Sequence, residues 1–335
     1  GGRWEASLSW LWSMSSRGVE PDARAFREAI TACGRAEQWE EALALLPVLR
    51  ERGLDADVAE FNAAAAACQM AGCWQEVLLL LDELQDVGPR PDTVTCTTAI
   101  AACGSARAWR AAVNLLGIMM DEGPSPDAVT FATAAAACER SGDWQQALAI
   151  LELQSDRHDL EPSIVTYNAV ISACGRGRAW EAALAVFAKA QSTPPLAPDR
   201  ASFGALIAAC ARGGSERWPI AISLLEELQK QNLRPNLAIL GSLLRSCEVG
   251  KSWATALALL EESRREWRLK PDAAAFGSAV GAAASASHWP IAMSLLEAMT
   301  ENSLEPDPAT RRTLVRSCEE ASLWQLSLHL LRRRR

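Results

Sequence analysis

The stretch from Pro162 to Phe187, PSIVTYNAVISACGRGRAWEAALAVF, decides the fold of this chain. Its apolar residues recur at the spacing i, i+3, i+4 and i+7, first as Tyr167, Val170, Ile171 and Cys174 and then as Trp180, Ala183, Leu184 and Phe187. This spacing predicts one apolar face on each of two α-helices. Residues 175–177 interrupt the pattern, which indicates antiparallel helices joined by a tight turn. Neither helix can bury its apolar face alone, so the unit must stack against another like it.

Three markers recur in step along the whole chain. The first is tryptophan, spaced 35 to 38 residues apart at Trp4, Trp39, Trp74, Trp109, Trp144, Trp180, Trp218, Trp253, Trp289 and Trp324. The second is cysteine, shortly before a tryptophan, at Cys33, Cys68, Cys103, Cys138, Cys174, Cys210, Cys247 and Cys318. The third is Pro-Asp, at 21–22, 91–92, 126–127, 198–199, 271–272 and 306–307. Markers that stay in phase over the full length indicate a tandem repeat of one helical hairpin.

These hairpins resemble pentatricopeptide repeats over nearly all of the chain. The resemblance rests on Val-Thr-Tyr-Asn opening the first helix, Trp-Glu-Ala-Ala-Leu in the second helix and Pro-Asp at the end of the unit. The tetratricopeptide repeat has a 34-residue period and places its tryptophan early in the first helix, so it fits less well. The resemblance implies an all-α fold, a right-handed α-solenoid superhelix of about nine 35-residue repeats.

We predict a single solenoid domain over residues 1–335. Residues 1–22 correspond to the second half of a repeat, and residues 308–335 to a C-terminal partial repeat. The predicted full repeats between them cover 23–57, 58–92, 93–127, 128–163, 164–199, 200–236, 237–272 and 273–307. Because the sequence opens inside a repeat, we expect residues upstream of Gly1 and leave targeting signals open.

Composition and cysteine usage narrow the classes of function. No run approaches the roughly 18 apolar residues that a membrane-spanning helix needs, so membrane insertion is not expected. Ten cysteines occur without a Cys-x-x-Cys pair, and eight of them share one repeat position, where cysteine acts as a small buried hydrophobe. We therefore predict no metal site, no cofactor and a reducing compartment.

Catalytic motifs are missing from the sequence. The histidines His158, His288 and His329 fall at unrelated repeat positions, and none is matched with a phased nucleophile or carboxylate. There is no His-x-Glu with a later Cys-x-x-Cys, which would indicate a zinc deaminase. We therefore predict a protein that is not an enzyme.

The resemblance implies that the fifth and last residues of each repeat recognise one base of a single-stranded RNA. Two pairs resemble uracil readers, Asn62 with Asp92 and Asn168 with Asp199, and one pair resembles a guanine reader, Thr97 with Asp127. It also implies that the second residue of a repeat wedges between neighbouring bases, here Ala59, Val94 and Val165.

The other repeats depart from this pattern. Their fifth residues are Arg27, Ala132, Gly204, Gly241 and Gly277, so the C-terminal half is expected to discriminate bases poorly. A basic residue shared by four repeats could contact the RNA phosphates or the C-terminal dipole of a helix, namely Arg35, Arg140, Arg176 and Arg212. A net charge of −8 argues against extensive phosphate contact.

Two functions of different classes stay open from the sequence. The first, narrowly favoured, is an RNA-binding adapter in organellar RNA processing, stability, editing or translation, in the mitochondrion or plastid that the resemblance implies. The second is an architectural scaffold subunit of a large organellar assembly, a ribosome or a membrane-bound energy-converting complex. In that case the repeats would contact protein partners. The acidic charge and the three glycines favour the second function, and the three intact pairs favour the first.

Overall fold

The computed structural model of this chain describes residues 3–16, 19–54, 56–87, 89–156, 160–193, 196–302 and 304–320. These ranges contain eighteen α-helices, one short 3-10 helix and no strand, which confirms the predicted all-α hairpin fold. The helices are α1 (Arg3–Ser16), α2 (Ala23–Arg35), α3 (Trp39–Glu51), α4 (Val58–Ala71), α5 (Trp74–Val87), α6 (Thr93–Ser105), α7 (Trp109–Asp121), α8 (Ala128–Ser141), α9 (Trp144–Ser155), α10 (Ile164–Arg176), α11 (Trp180–Ser192), α12 (Arg200–Arg212), α13 (Trp218–Lys230), α14 (Leu237–Val249), α15 (Trp253–Arg265), α16 (Ala273–Ser285), α17 (Trp289–Glu301) and α18 (Pro308–Glu320).

The Pro-Asp marker is explained by helix capping. The aspartate is the N-cap of the next first helix, and its carboxylate accepts a hydrogen bond from a backbone N–H of the first turn. In α8, for example, Asp127 Oδ1 accepts from the N–H of Thr130 at 2.7 Å. Proline ahead of it is disfavoured inside a helix, so each Pro-Asp ends one hairpin and starts the next.

The tryptophan marker sits at the start of the second helices. In seven hairpins the residue two positions before tryptophan has a left-handed backbone, which ends the first helix. Glycine takes this position at Gly72 and Gly142. Other residues take it at Glu37, Arg107, Arg178, Lys251 and Ser287, with φ between 53° and 60°. In the remaining complete hairpin the insertion before Trp218 forms the 3-10 helix Ser215–Arg217.

The core follows the predicted stripe on the first helices and a shifted stripe on the second. Tyr167, Val170, Ile171 and Cys174 are all buried. In α11, however, Leu184 is half-buried, and the buried positions are Ala183, Val186, Phe187 and Ala190. The phased tryptophans from Trp4 to Trp289 are half-buried as well, because they lie at the first turn, at the edge of the hairpin core.

Small residues let consecutive first helices approach closely. A β-carbon on Gly34 would lie 2.8 Å from Cβ of Ala67, and one on Gly104 would lie 2.9 Å from Cβ of Ala137. Helix α2 therefore packs tightly on α4, and α6 on α8. In both contacts the glycine directly follows the phased cysteine of its own helix, and the alanine directly precedes the phased cysteine of the next first helix. The same two repeat positions therefore pack together at both boundaries.

The chain divides into two compact units, Gly1–Ala173 and Cys174–Arg335. In the first unit α2, α4, α6 and α8 pack in sequence, and in the second α12, α14, α16 and α18 do the same. The second helix predicted for residues 308–335, with Trp324, lies outside the described residues. In the part of the chain that the structure describes, no helix is both long enough and apolar enough for a membrane span.

Candidate nucleic-acid interface

Asn62 and Asp92 are brought together although thirty residues separate them in sequence. Asn62 is half-buried in the second turn of α4, and Asp92 is the N-cap of α6. The amide nitrogen Nδ2 of Asn62 lies 3.4 Å from Oδ1 and 3.5 Å from Oδ2 of Asp92. Asn62 Oδ1 is buried and has no hydrogen-bond partner in the described structure. The NH₂ group of the Asn62 amide thus faces the carboxylate, and the oxygen of the same amide remains as an acceptor for a ligand.

Thr95 holds the Asp92 carboxylate in place. Its backbone N–H donates to Asp92 Oδ1 at 2.7 Å, and its hydroxyl donates to the same oxygen at 2.8 Å. Partial burial alone would raise the pKa of Asp92, but these hydrogen bonds and the one from Asn62 outweigh it and hold the pKa below its ordinary value. The carboxylate is therefore charged at neutral pH and can only accept hydrogen bonds.

Thr97 and Asp127 are linked through a residue that the sequence did not single out. Thr97 Oγ1 lies 2.8 Å from Oγ1 of Thr130. It also lies 2.7 Å from the Thr93 carbonyl oxygen, to which it can donate a hydrogen bond. Thr130, which is buried, donates its hydroxyl to Asp127 Oδ1 at 2.7 Å. The only signal for Thr130 and Thr95 in the sequence is a threonine three residues after the capping aspartate.

The third pair is divided between the two units. Asn168 lies in the N-terminal unit, half-buried in α10. Asp199 lies in the C-terminal unit and caps α12, where it accepts from the Ser202 N–H at 2.8 Å and from its hydroxyl at 2.9 Å. Each residue takes the same place in its own repeat as its counterpart in the first pair.

The wedge position carries exposed apolar side chains. Val94 and Val165 are 59% and 60% exposed, and Ala59 is half-buried. Val129, 61% exposed at the same position of α8, belongs to this set although the sequence analysis did not name it. The three valines at this repeat position are thus apolar side chains that do not pack in the core of the protein.

The four phased arginines are exposed near helix C-termini. A β-carbon on Gly104 would lie 3.6 Å from Nη1 of Arg140, and one on Gly175 would lie 3.2 Å from Nη1 of Arg212. The guanidinium groups of these two arginines thus reach the last turn of the preceding first helix, where a cation is favoured by the helix dipole. Arg35 and Arg176 occupy the same position and are also exposed.

The unusual fifth positions differ in how much space surrounds them. Gly241 has no atom within 4 Å of where a β-carbon would stand. A β-carbon on Gly204 would lie 3.4 Å from Cγ1 of Ile239, and one on Gly277 would collide with Oγ1 of Thr310. The poor discrimination expected of these repeats would therefore have two structural sources, missing side chains and filled space.

Arg27, another unusual fifth residue, forms an ion pair with Glu60, a buried residue at the start of α4. Ala132 is half-buried in α8 and carries no polar group to contact a base.

Metal-ligating side chains are dispersed in the described part of the chain. No group of three or more His, Cys, Asp or Glu side chains in these ranges could hold a metal ion. His288 packs against Trp253 with ring centroids 4.5 Å apart, which is a structural contact between consecutive repeats. His158 and His329 lie outside the described residues.

The comparison with known families identifies these repeats. The family model described as a pentatricopeptide repeat domain matches residues 79–140, 120–178 and 151–213, and a second model, described as a PPR repeat, matches residues 29–54. The chain belongs to the pentatricopeptide repeat family. As in the sequence analysis, the fifth, last and second residues of each pentatricopeptide repeat form the candidate interface.

Solved pentatricopeptide repeat proteins share the fold. The structure of PPR10 in complex with an 18-nt psaJ RNA element superposes with a TM-score of 0.64 at 17% identity, covering 98% of this chain and 52% of that one. A cysteine-to-serine form of the same complex gives the same values. PPR10 from maize superposes with a TM-score of 0.43 at 18% identity, covering 98% of this chain and 61% of that one. The chain thus spans about half the length of the first two structures, and no curated protein sequence matches it.

Proposed function

We propose that this pentatricopeptide repeat protein is a non-catalytic adapter that binds single-stranded RNA. The observation that carries the proposal is the Asn62–Asp92 pair, in which a fixed carboxylate orients an amide and leaves its buried oxygen without a protein partner. A buried acceptor of this kind is costly unless a ligand satisfies it. The RNA complexes of the similar PPR10 support the same class of ligand.

The chemistry at Asn62 suits uracil. Uracil offers N3–H as a donor, flanked by two carbonyl oxygens as acceptors. Asn62 Oδ1 can accept from N3–H, and the second hydrogen of Nδ2 can be donated to a uracil oxygen. Cytosine presents an acceptor at N3 and would face the Asn62 oxygen unfavourably. The pair therefore favours uracil over cytosine.

The chemistry at Thr97 suits guanine. Thr130 gives its hydrogen to Asp127, so the single hydroxyl hydrogen of Thr97 is taken by Thr93 or Thr130. Thr97 then offers only lone pairs to a base. Guanine presents two adjacent donors, N1–H and the amino group, whereas adenine presents an acceptor at N1. The site therefore favours guanine over adenine.

The order of the repeats gives a target. By family resemblance the N-terminal repeats lie toward the 5′ end of the RNA. The pairs Asn62/Asp92, Thr97/Asp127 and Asn168/Asp199, with the poorly discriminating Ala132 between the last two, favour the core U-G-N-U. Val94, Val129 and Val165 would separate neighbouring bases, and Arg140 and Arg176 would contact phosphates. We place the protein in mitochondrial or plastid RNA metabolism, by family resemblance.

A scaffold subunit of an organellar assembly is the second candidate. Residues 1–173 contain 12 basic and 25 acidic residues, which is unfavourable for general polyanion binding. Thr310 also fills the space beside Gly277, so that repeat has no free reading position. A protein partner with a basic surface would suit the acidic half better than RNA would.

Binding of short RNAs tests the two candidates. The purified protein is titrated into labelled single strands that carry U-G-N-U within adenosine flanks, at moderate salt. Replacing the first U by C should weaken binding about 10- to 100-fold, in line with roughly 1–3 kcal/mol for a good base contact. Changing N should have no effect, which serves as an internal control. Equal affinity for every sequence, with no more affinity than for another polyanion, would favour the scaffold.

Two variants separate base contacts from phosphate contacts. Asn62→Ala should abolish the preference at the first U alone. Arg176→Ala should weaken all sequences alike and flatten the dependence of affinity on salt. If Arg176→Ala leaves the affinity and the salt slope unchanged, the arginine acts on the helix terminus only.

A further inference from the structure

The third residue of each first helix occupies one place in the structure. It is buried in the first helices from α4 onward, and it contacts the fifth residue of the preceding repeat, the last residue, or both. In the N-terminal unit the contacts are Arg27 with Glu60, Asp92 with Thr95, and Thr97 and Asp127 with Thr130. In the C-terminal unit they are Gly204 with Ile239, and Gly277 and Asp307 with Thr310.

We propose that this third residue is a positioning residue for base recognition, which sets what the fifth residue of the preceding repeat can be and how it is held. The inference rests on the proposed RNA binding and adds a determinant to it. A hydroxyl at the third position fixes the last-residue carboxylate and, through it, the reading side chain. A side chain that fills the space at the third position prevents the fifth residue from carrying a reading group.

The hydroxyl effect is clearest at Thr95. Both hydrogen bonds from Thr95 go to Oδ1 of Asp92, which fixes the rotation of the carboxylate. Because a carboxylate accepts hydrogen bonds only, it selects the NH₂ side of the Asn62 amide and turns the oxygen away from itself. Thr95 therefore determines, from a buried position and without touching a base, which group Asn62 presents.

The same relay operates at Thr130 with a different outcome. Its hydroxyl hydrogen is committed to Asp127, so its oxygen can only accept from Thr97. The single hydroxyl hydrogen of Thr97 therefore goes either to Thr130 or to the Thr93 carbonyl, and Thr97 keeps only lone pairs for a ligand. Two threonines at one repeat position thus support two different preferences, because the fifth residues beside them differ.

The steric effect separates Gly241 from Gly277. In the first helix that follows Gly241, α16, the third residue is Ala275, and the space beside Gly241 is open. In the first helix that follows Gly277, α18, the third residue is Thr310, whose Oγ1 occupies the place that a β-carbon on Gly277 would take. Asp272 and Asp307, the last residues of the two repeats, both cap the following helix. The two repeats therefore carry the same glycine and the same carboxylate but differ at the third residue.

Loss of the hydroxyl at the third position is the first test. Thr95→Val keeps the shape of the side chain and the backbone cap, and Thr95→Ser restores the hydroxyl. We expect Thr95→Val to reduce the preference for U over C at the first position of U-G-N-U at least about threefold, the effect of one net hydrogen bond, and Thr95→Ser to recover it. Circular dichroism confirms that both variants are folded, and the preference at the second position should not change.

The second test introduces a side chain that could recognise a base at the glycine positions. Gly241→Asn should create a preference for uracil at the base opposite repeat 237–272. Gly277→Asn should create none at its own base, either because the asparagine is misplaced or because the protein unfolds locally. The double variant Gly277→Asn/Thr310→Ala should then create the preference that the single variant lacks.

The outcomes separate the inference from the function on which it rests. An unchanged U/C ratio in Thr95→Val, with RNA binding intact, overturns the inference and leaves RNA binding standing. Equal gain in Gly241→Asn and Gly277→Asn overturns it as well. Failure of the unaltered protein to bind U-G-N-U RNA above other polyanions overturns both.

Discussion

Nη2 of Arg27 lies 2.6 Å from Oε1 of Glu60, a carboxylate that is buried where the next repeat begins. The Nε of Arg27 donates to the same oxygen at 2.9 Å, and the backbone N–H of Asp57 donates to the other oxygen at 3.0 Å. A buried charge is tolerated only when it is paired and hydrogen-bonded. This ion pair therefore joins two repeats at a boundary where the other repeats place a small polar or apolar residue.

Removing Arg27 should destabilise the N-terminal repeats. Arg27→Met leaves the Glu60 carboxylate without its cation, and we expect the free energy of unfolding to fall by about 2–3 kcal/mol, less than for a fully buried pair because Arg27 is partly exposed. Urea unfolding followed by circular dichroism measures the loss. Arg24→Met, an exposed change on the same helix, is the matched control. The double variant Arg27→Met/Glu60→Gln should recover most of the loss, and no recovery would mean that the ion pair is not its cause.

Adding one methyl group should have opposite effects at two glycines of the N-terminal unit. Gly104→Ala would place a β-carbon 2.9 Å from Cβ of Ala137, in the contact between α6 and α8, so the helices must separate. We expect a loss of about 1–3 kcal/mol in the free energy of unfolding. Gly117→Ala, where no atom lies within 4 Å, should stabilise α7 by about 0.5–1 kcal/mol. Thermal unfolding of both variants measures these changes. Equal shifts of the unfolding temperature in one direction would contradict the close helix packing.

Cysteine reactivity should follow burial. Burial raises the pKa of Cys68 and Cys138 to about 12 and that of Cys103 to about 11. Cys73 is half-buried and lies in the turn before Trp74. Because the thiolate is the reactive form, iodoacetamide at mildly alkaline pH should modify Cys73 well before these three. Mass spectrometry of the peptides measures the order, with urea-unfolded protein as the control in which all four react. Early modification of Cys103 in the folded protein would argue against its core position.

Acid should weaken the helix caps at Asp92 and Asp127. Hydrogen bonds from Thr95 and Thr130 outweigh the effect of burial and lower the pKa of these carboxyl groups. A lowered folded-state pKa means that the stabilisation is complete above the ordinary Asp pKa, about 3.9, and is lost as the pH falls through the lower folded value. Asp92→Asn should therefore show a smaller loss of stability between about pH 4 and pH 2 than the unaltered protein. Asp82→Asn, on the exposed side of α5, should follow the unaltered protein. Parallel curves for all three would contradict the role of the cap.

The sequence by itself determined the apolar faces of the first helices and the boundaries of the hairpins, which depend on neighbours along the chain. The apolar spacing of Tyr167, Val170, Ile171 and Cys174 predicted a buried helical face, and all four residues are buried. Pro-Asp predicted the hairpin boundaries, because a capping aspartate after proline acts within the first turn of the helix that follows. Tryptophan marked the second helices, since those from α3 to α17 begin at that residue.

Only the tertiary structure decided what one repeat does to the next. The second-helix stripe was shifted, with Val186 rather than Leu184 in the core, because the adjoining hairpin determines which side is covered. The roles of Glu60, Thr130 and Thr310 depend on contacts with residues about one repeat earlier in the chain, and Thr95 acts on such a residue, Asn62, through Asp92. Propensity and periodicity describe a single helix, so they gave no sign of these partners. The repeat pattern thus determined the hairpins, and packing between hairpins decided which of the proposed reading positions are held, open or filled.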